Sequence, residues 1–266
     1  MSIGIRAGLI PALGLVLLAE MGCSVAGEEG KIPVTTASAE ARQHYLQGQE
    51  LFENLEILDS RSHLEKAVAA DPDFALGHLR LAFTQTTPND FRSHVQEAAA
   101  LADKASKGER LWIQAVEAGA FGNPTRATEL FRELAAAYPN DERAHFLLGG
   151  NLFGQQNWTQ AIEHYRKAIA INPKYPAPYN QMGYALRFSG NNEEAEKVFQ
   201  DYVKLIPNNP NPHDSYAELL LALGRYDESV ASYRKALSVD ATFVASRIGV
   251  ATNLNFLGRH QEAREE

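Results

Sequence analysis

Histidines are the residues most able to do chemistry in this chain, and four of its eight recur: His44, His78, His145 and His213 stand 34, 67 and 68 residues apart. Imidazole ligates metals and titrates near neutral pH, so a recurring set invites a metal reading. The spacing argues against it. No HxxxH or HExxH pair occurs, and equivalent places on neighbouring packed helices lie about 8–10 Å apart, too far to share an ion bonded at ~2.1 Å. No metal and no cofactor is expected, and these histidines are read as packing groups. Cys23 is the single cysteine, which excludes an intramolecular disulfide and a cysteine-based zinc site. No GxGxxG, Walker loop or GxSxG is present. The carboxylate runs Glu193-Glu194 and Glu265-Glu266 suit solvated helix surface. A net charge of −8 without a Lys/Arg block argues against a nucleic-acid partner. No catalytic residue is expected, and the chain is read as non-enzymatic.

The elements that would position any binding residue begin after an atypical leader. Met1 to Arg6 carries one fixed positive side chain, and Ala7 to Ala19 (AGLIPALGLVLLA) runs apolar without a charge. Thirteen residues are too few to span roughly 30 Å of hydrocarbon but suit the apolar core of a secretory signal. An N-terminal helix packed on the fold is the alternative. Ser24 and Ala26 have the small-residue spacing of a cleavage site, while Gly22-Cys23-Ser24 resembles a bacterial lipobox from which Glu20 and Met21 depart. Two routes stay open, lipidation at Cys23 or cleavage after Ala26. Either makes 1–26 an export signal and 27–40 a linker, and places the protein in the periplasm or at a membrane held only through its N-terminus.

Beyond the leader the chain repeats itself. Gly149 and Gly183, Ala161 and Ala195, Tyr165 and Phe199, and Pro173 and Pro207 are each 34 residues apart. A further step reaches Ala217, Ser229, Tyr233 and Ala236, and another reaches Ala251 and Ala263. Backwards, Ala115, Ala127, Phe131 and Pro139 define 108–141, and Gly48, Ala67 and Pro72 define 41–74. The stretch 75–107 is one residue short and lacks the closing proline. The remaining units are 142–175, 176–209, 210–243 and a partial 244–266. Ala161, Tyr165 and Ala168 fall at i, i+4 and i+7, one face of a helix. Asn172-Pro173 stops that helix, and Gly190-Asn191 and Gly224-Arg225 mark turns within pairs. No period-2 run of β-branched residues appears. One helical pair cannot bury both faces, so each unit leans on its neighbours and the core runs along the array.

This pattern resembles the tetratricopeptide repeat family, whose 34-residue signature is W-x2-L-G-x2-Y, then A-x3-F, then A and P. The resemblance implies an all-α right-handed superhelical solenoid of antiparallel helix pairs over 41–266, acting as a scaffold for a protein or peptide partner. It departs from the family at the aromatic opening place, filled by His44, His78, Leu111, His145, Tyr179, His213 and Arg247. In the family, the second, fifth, ninth and twelfth places of each first helix face a ligand in the concave groove. Carried over, the groove set here is Tyr45, Trp112, Arg143, Phe146, Phe153, Asn180, Tyr184, Arg187, Asp214 and Glu218. Aromatics with Asn and Arg beside them suit an extended peptide or a helix, although Trp112, Phe146 and Phe153 also suit packing between repeats. No groove place holds lysine, unlike the carboxylate-gripping set of the heat-shock cochaperones in this family.

Two other roles compete with peptide capture, self-association within a cell-envelope complex and service as an accessory module for an enzyme on another chain. The C-terminal end bears on the first. The helix over about 245–256 lacks most of its partner, and 261–266 is shorter than an isolated helix that holds in water. Residues beyond about Leu257 are expected to fray, leaving an apolar edge open to a second copy.

Overall fold

The structure, a computed structural model, describes residues 29–266; the expected export signal and Cys23 lie outside the described residues. Among the described residues, fourteen α-helices follow one another as antiparallel pairs. The pairs are α1 (Ala39–Glu53) with α2 (Ile57–Ala70), α3 (Ala75–Ala82) with α4 (Pro88–Ala100), and α5 (Lys107–Ala120) with α6 (Pro124–Ala137). Next come α7 (Glu142–Gly154) with α8 (Trp158–Ile171), and α9 (Pro176–Phe188) with α10 (Asn192–Leu205). The last are α11 (Pro210–Ala222) with α12 (Tyr226–Val239), and α13 (Val244–Phe256) with α14 (His260–Glu265). Among the described residues there is no strand, and no helix is long and apolar enough to cross a membrane. The all-helical solenoid is the fold.

Local signals start and stop these helices. Ser38, Thr87, Asn123, Asp141, Asn157, Asn191 and Asn209 each place a side-chain oxygen on an N–H of the first turn, and Ser106 with Glu109 forms a reciprocal capping box, satisfying donors no helical carbonyl reaches. Pro88, Pro124, Pro176 and Pro210 open helices where their missing N–H costs nothing. Inside most pairs the chain reverses through one left-handed residue: Gly122, Gly190, Gly224 and Gly258, but also Leu55 (φ 65) and Gln156 (φ 61).

Small residues let the helices close up. A Cβ added to Gly149 would stand 2.7 Å from the Tyr165 ring, and one on Gly183 2.6 Å from Phe199; both aromatic residues are fully buried. The recurring opening-place residues have a common task besides packing. His78, His145 and His213 place Nε2 3.0, 3.1 and 3.2 Å from the carbonyls of Pro72, Pro139 and Pro207. Tyr179 donates its hydroxyl to the Pro173 carbonyl, and Arg247 its guanidinium to that of Ala241. Five of the seven opening places thus hold a donor that reaches six residues back; Leu111 cannot donate, and His44 meets His63 instead.

Two segments differ from the sequence expectation. Part of the stretch read as a linker is docked: Ile32 is 2% exposed, its N–H donates to Asp141 at 2.6 Å, and that of Thr35 donates to Glu109 at 2.7 Å. Residues 31–36 are a strap along the starts of α5 and α7, held because these two successive first helices each present a carboxylate in their opening turn. At the other end, 260–265 is helical rather than frayed. Arg259 pairs with Glu262 and Arg234 with Glu266, and Ala263 packs on the C-terminal core.

Candidate functional site

The first helices of the pairs line the inner face, and the array curves enough that distant repeats meet across it. Asn209, at the start of α11, donates its amide to the carbonyl of Asn54, at the end of α1, at 2.7 Å. Between them lies a cavity of about 290 Å³, walled by Phe52, Phe83, Trp112, Phe146, Tyr175 and Tyr202, with Glu53, Arg80, Asn180 and Gln181 as its polar lining. Leu55 and Phe83 are partly exposed at its rim.

Arg80 sets the electrostatics of this cavity. Its guanidinium carbon lies 4.7 Å from the Trp112 ring centre and 5.3 Å from that of Phe52, a cation held against π faces. The residue is 5% exposed, its Nε has no hydrogen-bond partner, and no carboxylate among the described residues lies within 4.0 Å of it. Trp112 Nε1 and Asn180 Oδ1 are also buried without partners. Burial pushes the Glu53 carboxyl above its ordinary value, against the pull of Arg80 and a hydrogen bond from Gln49. Burial raises the Tyr45 hydroxyl likewise, with the Arg80 charge opposing it. A cation without an ion-pair partner in an apolar wall is costly and is poised to accept a carboxylate in its planar fork.

The groove residues expected from sequence divide into four groups. Phe146 and Asn180 line the cavity, Phe146 meeting Tyr175 edge-on at 5.3 Å. Tyr184, Arg187 and Glu218 form a second cluster: the Tyr184 hydroxyl donates to Glu218 at 2.9 Å, and Arg187 stands 3.7 Å from the same carboxylate. Arg187 and Glu218 border an open groove with Leu221, Ile248 and Thr252. Phe153 turns aside onto Trp158, at 4.9 Å, and Phe188. The remaining four are turned into the fold. Tyr45 and Trp112 are fully buried, because strap, curvature and neighbouring helices cover the N-terminal repeats; Trp112 reaches the cavity only as wall. Asp214 is buried and accepts from Ser246 at 2.6 Å. Arg143 is spent internally, on Asp141 at 2.6 Å and the Ile32 carbonyl at 2.7 Å. The sequence reading missed Arg80, whose signal was an arginine inside an apolar run (ALGHLRLA).

It also missed a histidine arrangement, since it compared repeats with one another and not the two helices of one repeat. His44 and His63 approach at 3.3 Å between Nδ1 atoms, and His145 and His164 at 3.1 Å. His78, His94 and Glu97 gather with their ligating atoms within 4.8 Å of one another.

Comparison with known proteins agrees with this architecture. A family model described as TPR repeat matches residues 149–187, and one described as Tetratricopeptide repeat matches 177–209 and 214–243. Cellulose synthase operon protein C of Xanthomonas axonopodis pv. citri is 30% identical over 149 residues, covering 53% of this chain and 10% of that protein. Small glutamine-rich tetratricopeptide repeat-containing protein 2 of Mycosarcoma maydis is 29% identical over 105 residues, 40% of this chain and 30% of that one. The chain thus spans a minor part of these relatives. Among solved structures, MamA 41-end from Desulfovibrio magneticus RS-1 superposes with a TM-score of 0.53 at 16% identity, covering 60% of this chain and 91% of that one. TTC0263, a thermophilic TPR protein of Thermus thermophilus, does so with 0.52 at 20% identity, covering 80% and 98%. Both show the same fold. The chain thus carries tetratricopeptide repeats: the family models match the repeat over residues 149–209 and 214–243, and the same helix pairs continue on either side of them.

Proposed function

We propose that this protein is an exported, non-catalytic scaffold that holds a segment of a partner protein along its inner face, with a carboxylate-bearing apolar group of the partner seated beside Arg80. The observation that carries this reading is the cavity: aromatic walls around a buried guanidinium without an ion pair among the described residues, with a buried indole N–H that has no hydrogen-bond partner. Aromatic and arginine side chains in desolvated pockets dominate binding at protein interfaces. Export rests on the apolar stretch Ala7 to Ala19 and the small residues near Cys23. Crosslinking from envelope fractions identifies the partner, and its purified segment is then titrated against wild type and Arg80→Met. The expected result is a loss of about 2 kcal/mol or more of binding free energy with cooperative folding intact. Equal affinity for both would refute the cavity as the anchor site. Intact mass of the mature protein tests export: a chain retaining Met1 to Ala19 would refute it.

Self-association is a second reading, favoured by α13, whose Val244, Ile248 and Phe256 are more than half exposed. Sedimentation at rising concentration separates it from partner capture, since only self-association makes size depend on concentration.

A further inference from the structure

We propose that His78, His94 and Glu97 are a binding site for a zinc ion that staples α3 to α4. His94 and Glu97 are three residues apart on α4 and so share one helix face; His78 meets that face from α3. Glu97 Oε2 stands 2.9 Å from His78 Nδ1 and 3.0 Å from His94 Nδ1. Tetrahedral zinc with bonds of ~2.1 Å sets its ligand atoms roughly 3.4 Å apart; both histidine–glutamate separations fall within about half an ångström of that, and the three ligating atoms all lie within 4.8 Å of one another.

The state of His78 points to a cation. The Pro72 carbonyl can only accept, so the contact at 3.0 Å puts the proton on His78 Nε2. In the neutral ring Nδ1 then carries a lone pair. That atom is buried, has no hydrogen-bond partner, and belongs to a residue 8% exposed, yet it faces a carboxylate oxygen. A positive charge between the two atoms satisfies both, and a proton on Nδ1 or a metal ion can supply it. A ligating imidazole whose other N–H is fixed on a backbone carbonyl is the usual outer arrangement of a protein-bound metal. Glu97 is nearly half exposed, which leaves a side open for a water as fourth ligand.

The other histidine pairs show what is special here. Three residues after His63 stands Lys66, and three after His164 stands Lys167; three after His94 stands Glu97. Repeats with the lysine offer two imidazoles beside a cation and satisfy themselves, one Nδ1–H donating to the other ring. Only the pair with glutamate has a third, anionic ligand. Two imidazoles and one carboxylate select zinc over magnesium or calcium, which take oxygen ligands. The pair so joined is the irregular one, with α3 a helix of 8 residues.

The test is calorimetric titration of zinc chloride into the full chain carrying Cys23→Ser, so that no thiol competes, after removal of metals with chelator. One tight site per chain is expected, with magnesium chloride giving no heat. His94→Ala and Glu97→Gln should each weaken that site by about tenfold or more, as loss of a ligand does, while His164→Ala leaves it unchanged. Zinc should raise the thermal midpoint of wild type but not of Glu97→Gln. Glu97→Lys guards against a folding artefact, since two other repeats carry lysine there; circular dichroism should match wild type while the tight site disappears. Absence of a tight site in wild type, or equal zinc affinity in Glu97→Gln, would overturn the proposal. So would a loss in His164→Ala as large as in His94→Ala.

Discussion

Replacing Asp141 by alanine should undock the strap and cost more stability than any single groove substitution. The Asp141 side chain is fully buried. It accepts from the Ile32 N–H at 2.6 Å, the Arg143 N–H at 2.8 Å, and Arg143 Nε and Nη2 at 3.1 and 2.6 Å. Removing the carboxylate leaves a guanidinium only 12% exposed without its counter-ion, which costs about 3–5 kcal/mol. Replacing both partners, in Asp141→Ala with Arg143→Met, removes the stranded charge and should recover about 2 kcal/mol of that loss. Chemical denaturation of the four species measures the coupling, and limited proteolysis near Ile32 reports strap release. A loss below about 1 kcal/mol in Asp141→Ala, or no recovery in the double variant, would refute the view that this buried pair holds the strap.

The same carboxyl makes a pH prediction. Burial pushes its pKa up, but the hydrogen bonds and charge of Arg143 and the backbone N–H groups of Ile32 and Arg143 outweigh that and hold it below the ordinary 3.8. A depressed carboxyl pKa contributes stability that is present above the unfolded value and lost as pH falls through the folded one. In Asp141→Ala the decline of stability below about pH 4 should therefore be shallower than in wild type. His164 sets a second pH window: burial, then the charges of His145, Lys167 and Arg132, lower it from 6.5 to about 4. Stability is then complete above the unfolded value and falls between about pH 6.5 and 4 as the unfolded chain takes up the proton, so the urea midpoint of His164→Gln should vary less across that window. Gly183→Ala should destabilise by about 1–2 kcal/mol in thermal or urea unfolding, the overpacking of a methyl against Phe199 exceeding the gain of about 1 kcal/mol in helix propensity; an unchanged midpoint would mean the ring simply moves away. Gln156→Gly should stabilise by about 0.5–1 kcal/mol in the same unfolding assays, because Gln156 is exposed and occupies a left-handed turn place that glycine fills without strain.

Features confined to one repeat were legible in the sequence, because period and turn chemistry act within about 34 residues. Gly190 and Gly224 announce reversals, Asn172-Pro173 announces an end, and Ala161 with Tyr165 announces a buried face. Features made by curvature were not. The contact of Asn209 with Asn54 joins residues 155 apart, and the cavity beside Arg80 is walled from repeats on both sides of it. No periodicity specifies how far the superhelix turns per repeat. The strap was hidden for the same reason: the carboxylates that hold residues 31–36 look like ordinary helix starts until successive helices bring them into line. The cluster of His78, His94 and Glu97 was hidden by its irregularity, since His94 follows its partner by 16 residues where His63 and His164 follow theirs by 19.

The fifth place of the first helices shows why a family's ligand positions cannot be carried over by place alone. Tyr45, Leu79 and Trp112 occupy it in the first three repeats and are fully buried. Phe146 and Asn180 occupy it in the next two and are half-buried on the cavity. Asp214 is 6% exposed, and Ile248, in the last, is 62% exposed. The helical phase is the same throughout, so phase does not decide exposure; what lies opposite does. The first three repeats turn these side chains into the core, the middle two turn theirs to the cavity, and Ile248 borders the open groove beside Arg187 and Glu218. Large side chains at this place are therefore core at one end and available surface at the other, and the chemistry available to a partner concentrates where the change occurs, between Trp112 and Glu218.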